Sequence, residues 1–333
     1  MEFDFTAEQL ALRDLARDLF EKESPPSRLR ELWDVAERDP SCWRAMASVG
    51  LTGLTIAEEH GGMGGDDVDL ALVLEEAGRT ALPEPLLETV GVVAPLLAGT
   101  ALAGEWLPRI ASGDAIATIA LGDEPLAVDA DTADLLIATS DGALHALPKG
   151  SFTATRVETE DRARRVSTVA FDASAGTKLD ADPDTAFLRA ATHAAGMLNG
   201  ISAKLLETTV AYAKTRNQFG RPVGSFQAVK HALANAHVGV ESSRAATWYA
   251  AYAMTHALPD AVEAASVAKS YASDAAREAG RVALQAHGGI GFTWEHDLHL
   301  WLKRGKALEQ AYGSAAEHRR RIARGLFEGG AGA

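Results

Sequence analysis

The chain has 333 residues, with 32 Lys plus Arg against 46 Asp plus Glu and a formal charge of −14, which argues against a nucleic-acid or anionic-membrane surface because no long-range field gathers phosphate. Hydrophobic residues at 47% and charged residues at 23% are the balance of a folded globular protein rather than a disordered one. The single cysteine, Cys42, permits neither an internal disulfide nor a Cys/His zinc spacing.

The acidic start MEFDFTAEQL lacks a basic segment ahead of an apolar run, so no secretory signal is expected and the expected location is cytoplasmic. Thr6 followed by Gln9 makes a capping box, and Leu12, Leu15, Ala16 and Leu19 keep helical spacing after it until Pro25 and Pro26. A second helical pattern over 41–49 leads into LTGLTIAEEHGGMGG, whose Gly61, Gly62, Gly64 and Gly65 mark a turn. No Lys-Ser pair follows them, which argues against a phosphate loop. Helix resumes over 69–80. The apolar segment 84–110 is interrupted by Pro85, Pro95 and Pro108 and reads as short helices. Its uncharged part, 89–104, is too short for a membrane span.

From Ala115 the pattern changes to short apolar runs, AIATIALG, LLIATS, ALHALP and STVAFDA, which predict strands. Asp141-Gly142 between the second and third predicts a two-residue hairpin. The strand zone ends near Asp182-Pro183, and from there the chain is helical and Ala-rich. Leu198, Ile201 and Leu205 mark one apolar face, Phe226, Val229, Leu233, Ala236 and Val240 a second, and Leu298, Trp301 and Leu302 a third. The expected architecture is mainly α with a small β domain: an N-terminal helical domain over 1–112, a short central β-sheet domain over 113–182, a C-terminal four-helix bundle over 183–327 and a tail over 328–333.

Among local motifs, His296, Asp297 and His299 look like a cluster, but Asp297 and His299, two apart, do not share a helix face, so no metal is expected. The basic run from His318 to Arg321 predicts a solvated or dipole-complementing face. HGGIG, from His287 to Gly291, reads as a helix C-cap whose backbone a phosphate-bearing ligand can approach. TRNQFGRP, from Thr215 to Pro222, closes one helix and restarts another. It is compatible with a packed C-cap or with a nucleotide clamp built from Arg216 and Phe219.

Three segments, LTGLTIAEEHGGMGGDDVDLALVLEEAGR, YAKTRNQFGRPVGSFQAVKHALA and LQAHGGIGFTWEHDLHLWLKRGKALEQAYGSAAEHRRRIAR, occur in this order. Together they resemble the flavin-dependent acyl-CoA dehydrogenases. The resemblance implies FAD bound between subunits, with Arg216 and Phe219 at the pyrophosphate and adenine and Gln285, Gly288 and Gly289 on the facing loop. It also implies an acyl-CoA substrate and an electron-acceptor flavoprotein.

The family's catalytic glutamate commonly lies in a Tyr-Glu-Gly-Thr segment, where this chain reads Ala311, Tyr312, Gly313, Ser314, so Tyr312 occupies the glutamate position. The other base position used in the family, on the first bundle helix, falls in TAFLRAATHAAG and holds no acid. Glu309 and Glu317 are out of phase. A phenol with a solution pKa near 10 is a poor base for a thioester α proton. The middle segment is also short and has no tryptophan. This combination resembles the non-catalytic subunit of α2β2 heteromeric dehydrogenases that act on CoA thioesters of sterol side chains. There a catalytic partner supplies the glutamate and this chain completes the FAD site. Two other readings stay open: a self-sufficient homo-oligomeric dehydrogenase with an unrecognised base, and a non-enzymatic helical protein that binds partners.

Overall fold

The computed structural model describes residues 4–33, 35, 37–122 and 126–328. Helix α1 (Ala7–Glu23) starts at the predicted capping box, with Gln9 N donating to Thr6 Oγ1 at 3.1 Å and Thr6 N to Gln9 Oε1 at 3.0 Å. Its buried residues are Ala16 and Phe20, whereas Leu15, expected on the apolar face, is exposed. Helices α2 (Pro26–Glu31) and α3 (Ser41–Ser48) follow. The GGMGG segment is a structural turn: Gly64 N and Gly65 N donate back to Ile56 O and Leu54 O, both at 2.8 Å. A Cβ on Gly62 would lie 2.0 Å from Ile56 O.

Helix α4 (Asp67–Arg79) has a second capping box, made by Asp66 and Asp69. Beyond it the apolar segment winds as a π-helix over Leu87–Val93 and continues directly into α5 (Ala94–Ala98). Ala94 N bonds to Thr89 O, the wide-turn pattern, immediately before Pro95. The expected interruption at Pro95 is therefore absorbed by unwinding. Pro108 likewise lies inside α6 (Ala103–Ala111) instead of breaking it.

The central segment forms two small sheets. Strands β1 (Ala117–Ala120), β3 (Leu135–Ser140), β4 (Ala143–Pro148) and β7 (Thr177–Leu179) run in the order β1-β3-β4-β7, with β1 and β3 parallel. Strands β2 (Leu126–Val128), β5 (Phe152–Arg156) and β6 (Val166–Phe171) run β2-β6-β5. Ser140 pairs with Ala143 across the predicted hairpin, with Asp141 at φ 49° and Gly142 at φ 73°. Alternation along β3 divides the core: Leu136 and Ala138 pack with β2, β4 and β6 residues, and Leu135 and Ile137 join the main core of the N-terminal helices and the bundle.

Asp182 caps α7 (Pro183–Thr215), accepting from Asp184 N and Thr185 N. A hairpin of β8 (Asn217–Gln218) and β9 (Arg221–Pro222) leads to α8 (Gln227–Thr255) and then α9 (Ala261–His287). The fourth helix of the bundle comes in two pieces, α10 (Leu298–Gln310) and α11 (Ala315–Glu328). Of the expected tail, Glu328 closes α11 and 329–333 lie outside the described residues. Leu198, Ile201 and Leu205 are buried as expected, but on α8 only Ala236 and Val240 of the five predicted are.

The N-terminal helices seat on the bundle through glycine. A Cβ on Gly78 would stand 2.0 Å from Met197 O, and one on Gly200 would stand 1.8 Å from Glu75 O. Helices α4 and α7 therefore cross backbone against backbone. Ion pairs flank the crossing, from Arg17 to Glu76 and from Arg244 to Glu75. Arg304, 2% exposed, pairs with Asp161 and donates to the carbonyls of Ala81 and Leu82.

Candidate functional site

A cleft of about 850 Å³ opens between the β2–β6 side of the central segment and helix α10. Leu126, Val128 and Val166 line one wall, Leu302 and Ala307 the other, and Arg164 and Tyr312 also line it. Tyr312 sits in the turn between α10 and α11 at φ 56°, followed by Gly313 at φ 90°. Its phenol donates to Glu88 Oε1 at 2.8 Å, and Arg164 Nη2 donates to the same oxygen at 3.3 Å. Burial and the negative charge of Glu88 push the Tyr312 pKa well above the ordinary phenol range. At neutral pH Tyr312 is a neutral hydrogen-bond donor committed to Glu88, and it has no capacity to take up a proton.

The turn bearing Tyr312 is fixed from behind. Lys269 Nζ donates to Glu309 O at 3.1 Å and to Gly313 O at 2.9 Å, and His318 Nε2 lies 2.9 Å from Tyr312 O. His318 is fully buried, contrary to the expected solvated basic face, because it closes this turn. The rest of that run does reach the surface, where Arg319 pairs with Asp274 and Arg321 with Asp184. Burial lowers the Lys269 pKa to about 7. Glu309 is buried against Arg277 and Lys306, and Glu317 accepts from Ser314 N at the start of α11, so neither carboxylate lines up with the Tyr312 position.

The other candidate residues gather at one end of the bundle. Arg216 caps α7 with its side chain exposed, and Phe219 and Gly220 form the two-residue loop of the β8–β9 hairpin at φ 54° and 77°. Phe219 is 90% exposed. A non-glycine residue held in the left-handed region costs about 1–2 kcal/mol, and within the chain the Phe219 ring makes an edge contact with Phe226 at 6.1 Å between centroids. Tyr212, one turn before Arg216, stacks on His287 at 4.4 Å between centroids, and His287 meets His296 at 4.6 Å. That stack brings the hairpin to the same end of the bundle as Gly288 and Gly289, which follow α9. Gln285, in the last turn of α9, is exposed. A Cβ on Gly288 or Gly289 would meet nothing within 4 Å. An exposed guanidinium, an aromatic face and open glycine backbone suit a dinucleotide, so these residues fit the ADP half of a flavin.

His296 and His299 serve packing: His296 Nδ1 accepts from Leu298 N at 3.1 Å, and His299 lies between Trp33 and Trp294. Sequence reasoning missed Glu88 and Arg164. Glu88 is the one ionisable residue between Glu84 and Glu105, and a lone acid in an apolar run is a signal that a partner awaits it in the fold. Arg164, one of several arginines in a charged loop, carried no such signal.

The family models described as Acyl-CoA dehydrogenase, N-terminal domain, and Acyl-CoA dehydrogenase, C-terminal domain, match residues 6–114 and 184–327. The chain is 36% identical to acyl-CoA dehydrogenase IpdE2 of Mycobacterium tuberculosis over 324 residues, which is 96% of this chain and 98% of that one. Among solved structures it resembles a variant of the Tcur3481–Tcur3483 steroid ACAD, with a TM-score of 0.91 at 29% identity, covering 97% of this chain and 99% of that one. It also resembles the ChsE4–ChsE5 complex of Mycobacterium tuberculosis, with a TM-score of 0.90 at 26% identity, covering 98% of this chain and 99% of that one.

Proposed function

The chain belongs to the acyl-CoA dehydrogenase family, and from that premise we propose that it is the subunit of a heteromeric dehydrogenase that completes a partner's FAD site without supplying the base. The observation that carries this reading is the Tyr312 phenol, which the resemblance sets at the family's glutamate position and which is buried, neutral and bonded to Glu88. The reaction is α,β-dehydrogenation of an acyl-CoA thioester, in which FAD, when bound, supplies the two-electron acceptor.

Within that division of labour Arg216 neutralises pyrophosphate charge, Phe219 offers its face to the adenine, and the Gly288-Gly289 backbone admits the phosphates closely. Gln285 adds a neutral hydrogen-bonding group beside them. The catalytic glutamate comes from a partner subunit, most simply in an α2β2 assembly. The similarity to a steroid ACAD favours a steroid-type CoA thioester as substrate, and an electron-transferring flavoprotein as reoxidant is carried over from the family. Nothing in this role requires a membrane or a nucleic acid.

Counting flavins tests the proposal. The chain purified alone and co-expressed with a glutamate-bearing relative is compared by visible absorbance and native mass. Half a flavin per subunit, found in the mixed complex alone, is the expected result. A yellow, active homo-oligomer with about one flavin per subunit overturns it, and no flavin in any complex favours the non-enzymatic reading.

A further inference from the structure

We propose that the 850 Å³ cleft of this chain is a second, non-redox binding site, for a rigid neutral apolar molecule ending in a ketone or similar carbonyl oxygen received by Arg164. The inference rests on the reading above, in which this cleft performs no dehydrogenation. Its volume lies in the range of about 300–1,000 Å³ usual for ligand pockets, and its apolar walls carry several polar side chains, among which one with spare donors can orient a ligand.

Arg164 is that group. Its guanidinium has five N–H donors, yet among the described residues its one hydrogen bond to a carboxylate or carbonyl is the 3.3 Å contact with Glu88. It also lies against the Tyr312 oxygen, and its remaining donors border the cleft. The charged side chains around the cleft offset one another: Arg164 pairs with Glu88, Lys303 with Glu160 and Lys306 with Glu309, and Asp161 and Glu317 also line it. With no net positive charge to draw in an anion, the free donors favour a neutral acceptor oxygen over a carboxylate. The walls of Leu126, Val128, Val166, Leu302 and Ala307 take the hydrocarbon body.

The test is equilibrium dialysis of progesterone, a rigid tetracyclic ketone, against the assembled complex, with flavin content read in parallel. Saturable binding at one site per copy of this chain is expected. Arg164→Met keeps the apolar stem and removes the donors, so affinity should fall about tenfold or more. Leu126→Trp, at a residue 42% exposed, fills the cleft without touching the buried network and should abolish binding. Neither variant should change the flavin count. An absence of saturable binding, or equal affinity in wild type and both variants, overturns this inference and leaves the heteromer reading standing. Loss of flavin in Leu126→Trp shows the cleft to be a flavin site and overturns both.

Discussion

The Tyr312 phenol and the Glu88 carboxylate, 224 residues apart in the chain, meet at 2.8 Å beside the cleft between the central strands and α10. Tyr312→Phe removes one of two donors to a buried carboxylate and should cost about 1–3 kcal/mol of stability, read by denaturant unfolding. Turnover of the assembled complex should stay within about twofold, since a phenol held well above its usual pKa contributes no proton acceptor. A collapse of kcat would reinstate Tyr312 as a catalytic group.

Phe219 holds a left-handed backbone conformation with its ring 90% exposed. Phe219→Gly should leave Tm unchanged or slightly raised, because glycine accepts φ 54° without steric cost. Flavin retention in the complex should nonetheless drop, on the order of tenfold, through the lost stacking surface. Arg216→Ala should lower retention similarly while moving stability by less than about 0.5 kcal/mol, as expected for an exposed side chain. Flavin content after gel filtration, measured beside Tm, separates the two effects.

Lys269 gives a pH dependence with a definite sign. Its folded pKa, lowered by burial to about 7 from an ordinary 10.5, means that between those values the unfolded chain binds the extra proton. Stability from this group therefore rises as pH increases from about 7 toward 10 and gains nothing further below 7. The difference in Tm between wild type and Lys269→Met should shift in favour of wild type across that window. A difference that stays flat with pH would show the lysine to be charged in the fold.

Gly200 sets the hardest packing constraint. Gly200→Ala puts a methyl where the Glu75 carbonyl already is, and because both partners are backbone, neither yields by a rotamer change. Destabilisation at or beyond the upper end of the usual 1–3 kcal/mol for overpacking is expected, visible as a fall in Tm or in soluble yield. Gly99→Ala, with nothing within 4 Å, is the control and should be close to neutral.

Much of the fold was legible because it is written locally. The capping box at Thr6, the Asp141-Gly142 hairpin and the Asp182 cap are each set by residues within a few positions of one another. Strands β2, β5 and β7 were missed because they are three to five residues long and obtain their pairing from distant partners, leaving too little periodicity to read. The π-helical segment was equally invisible, since a proline in an apolar run signals a break rather than a widened turn. At the site, Tyr312 stood out through the resemblance, but the network that holds it could not be read. Glu88, Arg164, Lys269 and His318 converge on Tyr312 from four separate segments, and no spacing rule links them.

The glycine crossing of α4 and α7 bears on how the chain loses its structure. Shifts from helix to strand and back divide the sequence into three stretches, yet one continuous apolar cluster runs from Ala16 and Phe20 through Leu135 and Ile137 to Ala283 and Leu308. Arg304 of the bundle also satisfies carbonyls in the N-terminal half. Severing the chain between its secondary-structure zones would strand half of a shared interior on each side. A fragment comprising the bundle alone would therefore expose the groove that α4 fills.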